Sequence, residues 1–161
     1  MMRQVEKRTR GLAFVLTCGF LFAGQLLPAE SNCKEVKASF VDVYSGGNTT
    51  SGTITNGGVL NGVTLTIYTS GASSTPVPTS VSYTADLTIT TNQGLLKTVN
   101  LFLYDFATGL WTAMGRIDSN GSTGRFAGAT GVLYFNGKTI GTATPFTYLS
   151  DISGQICFSK D

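Results

Sequence analysis

The 161-residue sequence contains no histidine, and this absence excludes several kinds of chemistry. Ser-His-Asp and Cys-His catalysis both need an imidazole as the general base. Structural zinc sites need four cysteine or histidine ligands, whereas this chain has three widely spaced cysteines. We therefore expect no bound metal and no histidine-dependent reaction.

Charged residues are scarce, at 12% of the chain, and the basic ones are unevenly distributed. Of eleven basic and nine acidic residues, four basic and one acidic fall in the first ten positions. The remainder therefore holds seven basic and eight acidic residues, a formal net charge of about −1. With no basic stripe to follow phosphates, we expect no nucleic-acid partner.

Residues 1–29 have the three parts of a secretory signal peptide. Arg3, Lys7, Arg8 and Arg10 form a basic start, residues 11–27 are uncharged and mostly apolar, and Ala29 ends the segment after a proline. This pattern predicts a helical signal peptide, cleaved to leave residues 30–161 as a secreted, periplasmic or cell-surface protein. An uncleaved membrane anchor is the alternative, but about 17 apolar residues are short for one. After cleavage no stable membrane anchor would remain.

Cleavage at this point would also leave an even number of cysteines. Cys18 lies in the signal, while Cys33 and Cys157 lie near the two ends of the remaining chain. In an oxidising compartment such a pair favours a disulfide, closing a loop of about 125 residues and contributing roughly 4–5 kcal/mol. Two buried thiols are the alternative.

Residues 30–161 show strand alternation and no helical periodicity. Apolar residues alternate with polar ones over residues 80–91, where every second residue from Val81 to Ile89 is apolar except Tyr83. Val63, Leu65 and Ile67 repeat the pattern, which predicts that they face the core. In residues 97–106 both faces are apolar, so we expect one to face a barrel interior and the other a second layer or a partner subunit. Further strands are predicted at residues 36–44, 110–118, 131–136, 139–148 and 152–158.

Short strands separated by glycine-rich turn signals, one of them at Asn136-Gly137, predict an all-β domain. About eight such strands in sequence favour an antiparallel up-and-down barrel, with a sandwich as the alternative. A barrel of this size is wide enough to be filled by side chains or to hold one small ligand.

The most specific motif is a glycine-rich segment in residues 121–131, GSTGRFAGATG. It is not a dinucleotide fingerprint, because no strand–helix unit surrounds it. Glycines here allow tight barrel corners, and Phe126 is expected to plug the core. The residues that carry this motif are Gly121, Gly124, Phe126, Gly128 and Gly131.

The motif resembles the G-G-T-G-x-F-x-x-A-R-G segment of plant dirigent proteins, and the chain is similar to the related allene oxide cyclases. It also resembles exported bacterial proteins of unassigned role that carry G-T-G-R-F-A-G-A-T-G. The resemblance implies an eight-stranded barrel that needs no cofactor and is often a trimer. Thr130 stands where the family has arginine and cannot supply its positive charge to an anionic intermediate, which argues against dirigent-type coupling.

Candidate site residues are few. Asp105, Arg116 and Tyr104 are the catalytic candidates, and an Asp105–Arg116 pair at the barrel mouth is one hypothesis. Tyr83 and Trp111 are the ligand-binding candidates, although strand aromatics often belong to the core. The aspartates that could pair in a glycosidase are Asp42, Asp105, Asp118 and Asp151.

Three functions remain open at this point. The chain could bind a small apolar molecule or act as a surface interaction module; it could be a cofactor-free isomerase or cyclase; or it could be a structural or adhesive domain. Cavity volume distinguishes them. A barrel filled by Phe, Leu and Tyr side chains would exclude an interior pocket for a ligand or a substrate, whereas an open cavity with Asp, Arg or Tyr side chains pointing in would favour the enzyme.

Overall fold

The computed structural model describes residues 32–159, and the predicted signal peptide at residues 1–29 lies outside them. Two 3₁₀ turns lie at Gly58–Leu60 and Gly124–Phe126. The strands are β1 (Asn32–Tyr44), β2 (Thr49–Thr55), β3 (Gly62–Tyr68), β4 (Ser73–Ser74), β5 (Ser80–Thr91), β6 (Gly94–Asp105), β7 (Leu110–Ile117), β8 (Thr130–Ile140) and β9 (Phe146–Phe158).

All strands except the two-residue β4 form one closed antiparallel sheet. Each strand pairs with the next along the chain, β3 pairs directly with β5, and β9 returns to pair with β1. The short β4 only extends the edge of β5. This confirms the predicted up-and-down barrel of eight strands and excludes the sandwich, because a single sheet closes on itself.

The two ends of the barrel differ. At the closed end, the two 3₁₀ turns insert Leu60 and Phe126, neither of which is exposed to solvent. The Phe126 ring lies 6.0 Å from that of Phe158, between ring centres. At the opposite end, which we call the open end, the strands are joined by residues 45–48, 69–79, 106–109 and 141–145.

The predicted orientation of β3 is wrong. Val63, Leu65 and Ile67 are exposed on the outside, while Thr64 and Thr66 are buried inside. The physical reason is that the two threonine hydroxyls face a buried carboxylate, described below, that needs donors. Hydrogen bonding inside the barrel therefore outweighs burial of the apolar face.

Strand β6 has two apolar faces, as expected, and the structure shows which of them points into the barrel. Phe102 and Tyr104 point inward and are half-buried. Val99, Leu101 and Leu103 point outward and are about half exposed, at 53%, 53% and 45%. Within residues 32–159 no second layer covers this outer face, because the barrel is a single sheet.

Two predicted boundaries are also wrong. Asn136-Gly137 lies inside β8 and is not a turn. A Cβ atom at Gly137 would stand 2.9 Å from Cε2 of Trp111, so the glycine makes room for the indole. The predicted strand at residues 139–148 is broken by the connection at residues 141–145, which separates β8 from β9.

The disulfide prediction is confirmed. Cys33 and Cys157 face each other in the register of β1 and β9 and are bonded. The bond joins the first and last strands of the barrel where the sheet closes. No helix within residues 32–159 is long and apolar enough to span a membrane.

Candidate functional site

Aromatic side chains surround the open end of the barrel. Seven rings from six strands touch in succession, with centres 4.9–5.9 Å apart along the series. In order of contact, this aromatic cluster consists of Tyr44, Phe146, Tyr148, Trp111, Phe102, Tyr83 and Tyr68. These residues come together because inward positions near the open end of each strand meet in the barrel register.

Above these rings lies an open hollow of about 630 Å³, which we call the vestibule. Its walls include the rings of Tyr44, Tyr68, Tyr83, Tyr148 and Phe146. The other residues that line it are Gly47, Asn48, Tyr104 and residues 69–72. A hollow of this size with aromatic walls is typical of small-molecule sites.

Below the rings lies a buried carboxylate, that of Asp42, which is only 3% exposed. The hydroxyl of Thr50 donates a hydrogen bond to its Oδ2. Thr66 donates to the same oxygen at 3.3 Å, and Thr64 donates to Oδ1 at 3.4 Å. All three donors are neutral, so the negative charge is hydrogen-bonded but not neutralised.

Burial changes the ionisation of this carboxyl group. Loss of hydration raises the pKa of Asp42 to about 6, although the hydrogen bonds from Thr50, Thr66 and Thr64 act in the opposite direction. Burial also raises the pKa of Tyr68, Tyr83 and Tyr148 above the ordinary tyrosine value. The three phenols above Asp42 are therefore neutral at physiological pH.

Sequence and register explain how Asp42 reaches this position. It alternates with Phe40 and Tyr44 on the inward face of β1, opposite Gly52 of β2. A Cβ atom at Gly52 would lie 2.7 Å from Oδ1 of Asp42 and 1.9 Å from the Val41 carbonyl oxygen. Glycine at position 52 therefore provides the space for the carboxylate.

The space around the carboxylate is small. The inner cavity, lined by Asp42 together with Tyr68, Tyr83, Tyr148 and neighbouring side chains, has a volume of about 10 Å³. That volume is close to the minimum for one water molecule. The barrel interior is thus filled by side chains, which excludes the expected pocket inside the barrel. The vestibule has room for a larger molecule, and so does a second open hollow of about 810 Å³, lined by Leu103, Trp111, Lys138 and neighbouring side chains.

Three of the predicted site residues meet at the open end. Tyr83 lines both the inner cavity and the vestibule, Tyr104 lines the vestibule, and Trp111 lines the inner cavity. Tyr83 and Trp111 both contact the ring of Phe102, with centres 5.1 and 5.9 Å away.

The predicted Asp105–Arg116 pair does not form. In the sheet, Arg116 lies opposite Val99, and Asp105 lies six residues farther along β6, about 20 Å away at roughly 3.3 Å per residue. Asp105 instead caps a turn, accepting hydrogen bonds from the Ala107 amide at 3.0 Å and the Thr108 hydroxyl at 2.9 Å. These bonds hold the pKa of Asp105 below its ordinary value.

Sequence reasoning missed the role of Asp42, Tyr68 and Tyr148. One signal was present, because Asp42 shares the inward face of β1 with Phe40, and a charge on an apolar face is unusual. No comparable signal marked Tyr68, since β3 was expected to face the other way. Comparison with protein-family models, curated proteins and solved structures finds no match to this chain.

Proposed function

We propose that this protein is an exported binding module that holds a small, largely apolar molecule in the vestibule. The observation that carries the proposal is the hollow of about 630 Å³ with aromatic walls on top of a filled barrel. Aromatic walls supply contact area at little cost in conformational entropy. The disulfide between Cys33 and Cys157 fits an oxidising compartment.

An isomerase or cyclase is less well supported than a binding module. Its best candidate base is Asp42, with a pKa raised to about 6. A catalytic base must touch the proton it removes, and the inner cavity beside this carboxylate has room for about one water molecule. A substrate in the vestibule would be separated from Asp42 by tyrosine rings.

The binding proposal is tested by titrating isotope-labelled protein with indole and following backbone amide resonances. We expect shifts concentrated at residues 69–72 and at the strand ends around the vestibule. Ala72→Trp, which fills part of the rim, should weaken binding at least fivefold. Ala127→Trp, the same change at another exposed alanine, at the closed end, is the matched control and should leave binding unchanged. Shifts confined to the outside of the barrel would refute the proposal.

A second candidate function, contact with another copy of the chain, rests on the outer apolar face. This face comprises Val99, Leu101, Leu103, Leu110, Met114 and Tyr134. Leu101, Met114 and Tyr134 stand directly beside one another across β6, β7 and β8. Contiguous exposed apolar surface of this kind marks interaction sites, and it agrees with the homo-oligomer expected from the family resemblance.

A further inference from the structure

We infer that the vestibule selects an organic cation, a quaternary ammonium or protonated amine on a small apolar body, with Asp42 as its counter-ion. This inference rests on the proposed function, because it specifies the chemical class of the ligand that the vestibule would take. Three independent features of the open end support it: the ring faces, the uncompensated carboxylate and the distribution of basic residues.

The aromatic walls provide the first argument. Tyr44, Tyr68, Tyr83, Tyr148 and Phe146 all border the same hollow. The face of an aromatic ring carries partial negative charge, so a cation enclosed by several faces is attracted by each of them. Among the rings that line the hollow, Tyr68 is nearly perpendicular to Tyr83, at 86°, and Phe146 to Tyr148, at 83°, so the rings of the walls differ in orientation.

The second argument is the charge beneath the rings. The inner cavity that holds Asp42 and the vestibule share three lining residues, which are Tyr68, Tyr83 and Tyr148. The hydrogen-bond donors to Asp42 are threonine hydroxyls, and no lysine or arginine of residues 32–159 lines the inner cavity. A buried carboxylate without a positive partner is costly, and a cation held above it reduces that cost.

The third argument is the position of the basic side chains. Within residues 32–159 there are six, and five lie in the closed-end half of their strands or in the closed-end 3₁₀ turn. These five are Lys34, Lys37, Lys97, Arg116 and Arg125. The sixth, Lys138, points outward from β8. Among the residues that the structure describes, no basic side chain therefore lines the vestibule to repel a cation or attract an anion.

The decisive experiment compares two probes of the same shape and different charge. Choline carries a trimethylammonium group, and 3,3-dimethylbutan-1-ol carries a neutral tert-butyl group in its place. Calorimetric titration of the oxidised protein at pH 7.5 should show choline binding at least tenfold more tightly than the alcohol. Amide shifts should locate both probes at the vestibule.

Variants separate the attraction of a cation to the Asp42 carboxylate from its attraction to the aromatic rings. Asp42→Asn should abolish most of the preference for choline while leaving binding of the neutral alcohol unchanged. Tyr83→Leu keeps an apolar side chain but removes one aromatic ring. It should weaken the binding of choline severalfold more than the binding of the alcohol. Val63→Ala, at an exposed apolar residue on the outside of β3 and away from both the vestibule and the outer apolar face, is the control and should change neither.

Each outcome has a distinct meaning. Equal affinity for choline and the alcohol overturns the cation inference and leaves the vestibule as a site for neutral molecules. A choline preference that survives Asp42→Asn overturns the counter-ion role. Binding of neither probe also overturns the inference, and the indole titration then decides whether the vestibule binds small molecules at all. If Asp42→Asn does not fold, the two-probe comparison on the unaltered protein still decides for or against a cation.

Discussion

At the scale of single residues, Asp42 is the most unusual position in the barrel. A carboxyl group that is 3% exposed and bonded only to threonine hydroxyls is harder to ionise than one in water. The titratable groups facing it are the phenols of Tyr68 and Tyr148, which are themselves neutral at physiological pH. Its protonation is therefore linked to folding.

The expected pH dependence has a definite sign. In the unfolded chain Asp42 loses its proton near pH 3.8, and in the folded protein it does so near pH 6. Between these values the folded state holds the extra proton, so this group's contribution to stability is present below pH 3.8 and is lost as the pH rises to about 6. The loss should amount to about 3 kcal/mol in the free energy of unfolding.

Urea denaturation of wild-type protein and Asp42→Asn at pH 3.5, 5 and 7.5 tests this linkage. Other titrating groups, including Asp105, are common to both proteins and cancel in the difference. The wild-type protein should lose stability relative to Asp42→Asn across this range. A difference that is independent of pH would show that Asp42 ionises normally in the folded state.

The glycine-rich motif packs closely against the turn between β5 and β6. Gly124 has φ of +60°, and a Cβ atom there would lie 2.3 Å from the carbonyl oxygen of Gln93. The amide of Arg125 donates a hydrogen bond to that same oxygen at 2.9 Å. Gly124→Ala should therefore cost about 2–4 kcal/mol in the free energy of unfolding, from backbone strain and a backbone clash.

Gly71 is the matched control for this substitution. Nothing lies within 4 Å of its Cβ position, so Gly71→Ala should change stability by less than about 0.5 kcal/mol. Thermal or urea unfolding of both variants provides the measurement. Equal stability of Gly124→Ala and the unaltered protein would contradict the structural role assigned to the motif.

At the scale of elements, the seam between β1 and β9 closes the barrel. Their register runs from Asn32 opposite Phe158 to Tyr44 opposite Phe146, and the disulfide lies near one end of it. The bond joins residues 124 positions apart, so it restricts the unfolded chain strongly. Hydrogen bonding along the seam should preserve the folded structure without it.

The double substitution of Cys33 and Cys157 by serine should lower the free energy of unfolding by roughly 4–5 kcal/mol. Urea denaturation measures the loss, and circular dichroism checks that the strands remain. A reductant should destabilise the wild-type protein by a similar amount and leave the double variant unchanged. Identical denaturation midpoints with and without reductant would show that the bond contributes little.

The prediction of which strand face points inward was correct for β5, where one face is apolar and the other polar. The alternation in β5 places Ala85, Leu87 and Ile89 inside, as expected. It failed for β3, because alternation defines two faces without stating which is inside. There the inward choice depends on Asp42 of β1, which is distant in sequence and adjacent only in the barrel.

At the scale of the whole molecule, the outer apolar face is the candidate surface for contact with a second copy of the chain. If a second copy covers this face, Leu101→Lys combined with Met114→Lys should produce a monomer, because each change places a charge in the contact. Sedimentation velocity over a hundredfold concentration range measures the assembly. Indole binding at the vestibule should not change.

Val63→Lys is the control for this pair of changes. Val63 is 58% exposed on the outside of β3, away from the outer apolar face, and the variant should assemble like the wild type. A wild-type protein that stays monomeric at every concentration would exclude self-association through this face.

The sequence by itself determined the all-β class, the approximate strand number and the cysteine pair, because alternation, turn residues and cysteine count are local or compositional signals. Only the tertiary structure decided which faces of β3 and β6 point inward, why Gly137 belongs to a strand, and that Asp42 shares the inner cavity with tyrosines of the aromatic cluster. Those features depend on barrel closure and register, which bring together side chains from strands far apart in the chain. The candidate site consists of such side chains. Tyr83, Tyr104 and Trp111 were predicted one by one from the sequence, whereas the roles of Asp42, Tyr68 and Tyr148 follow only from the closed barrel.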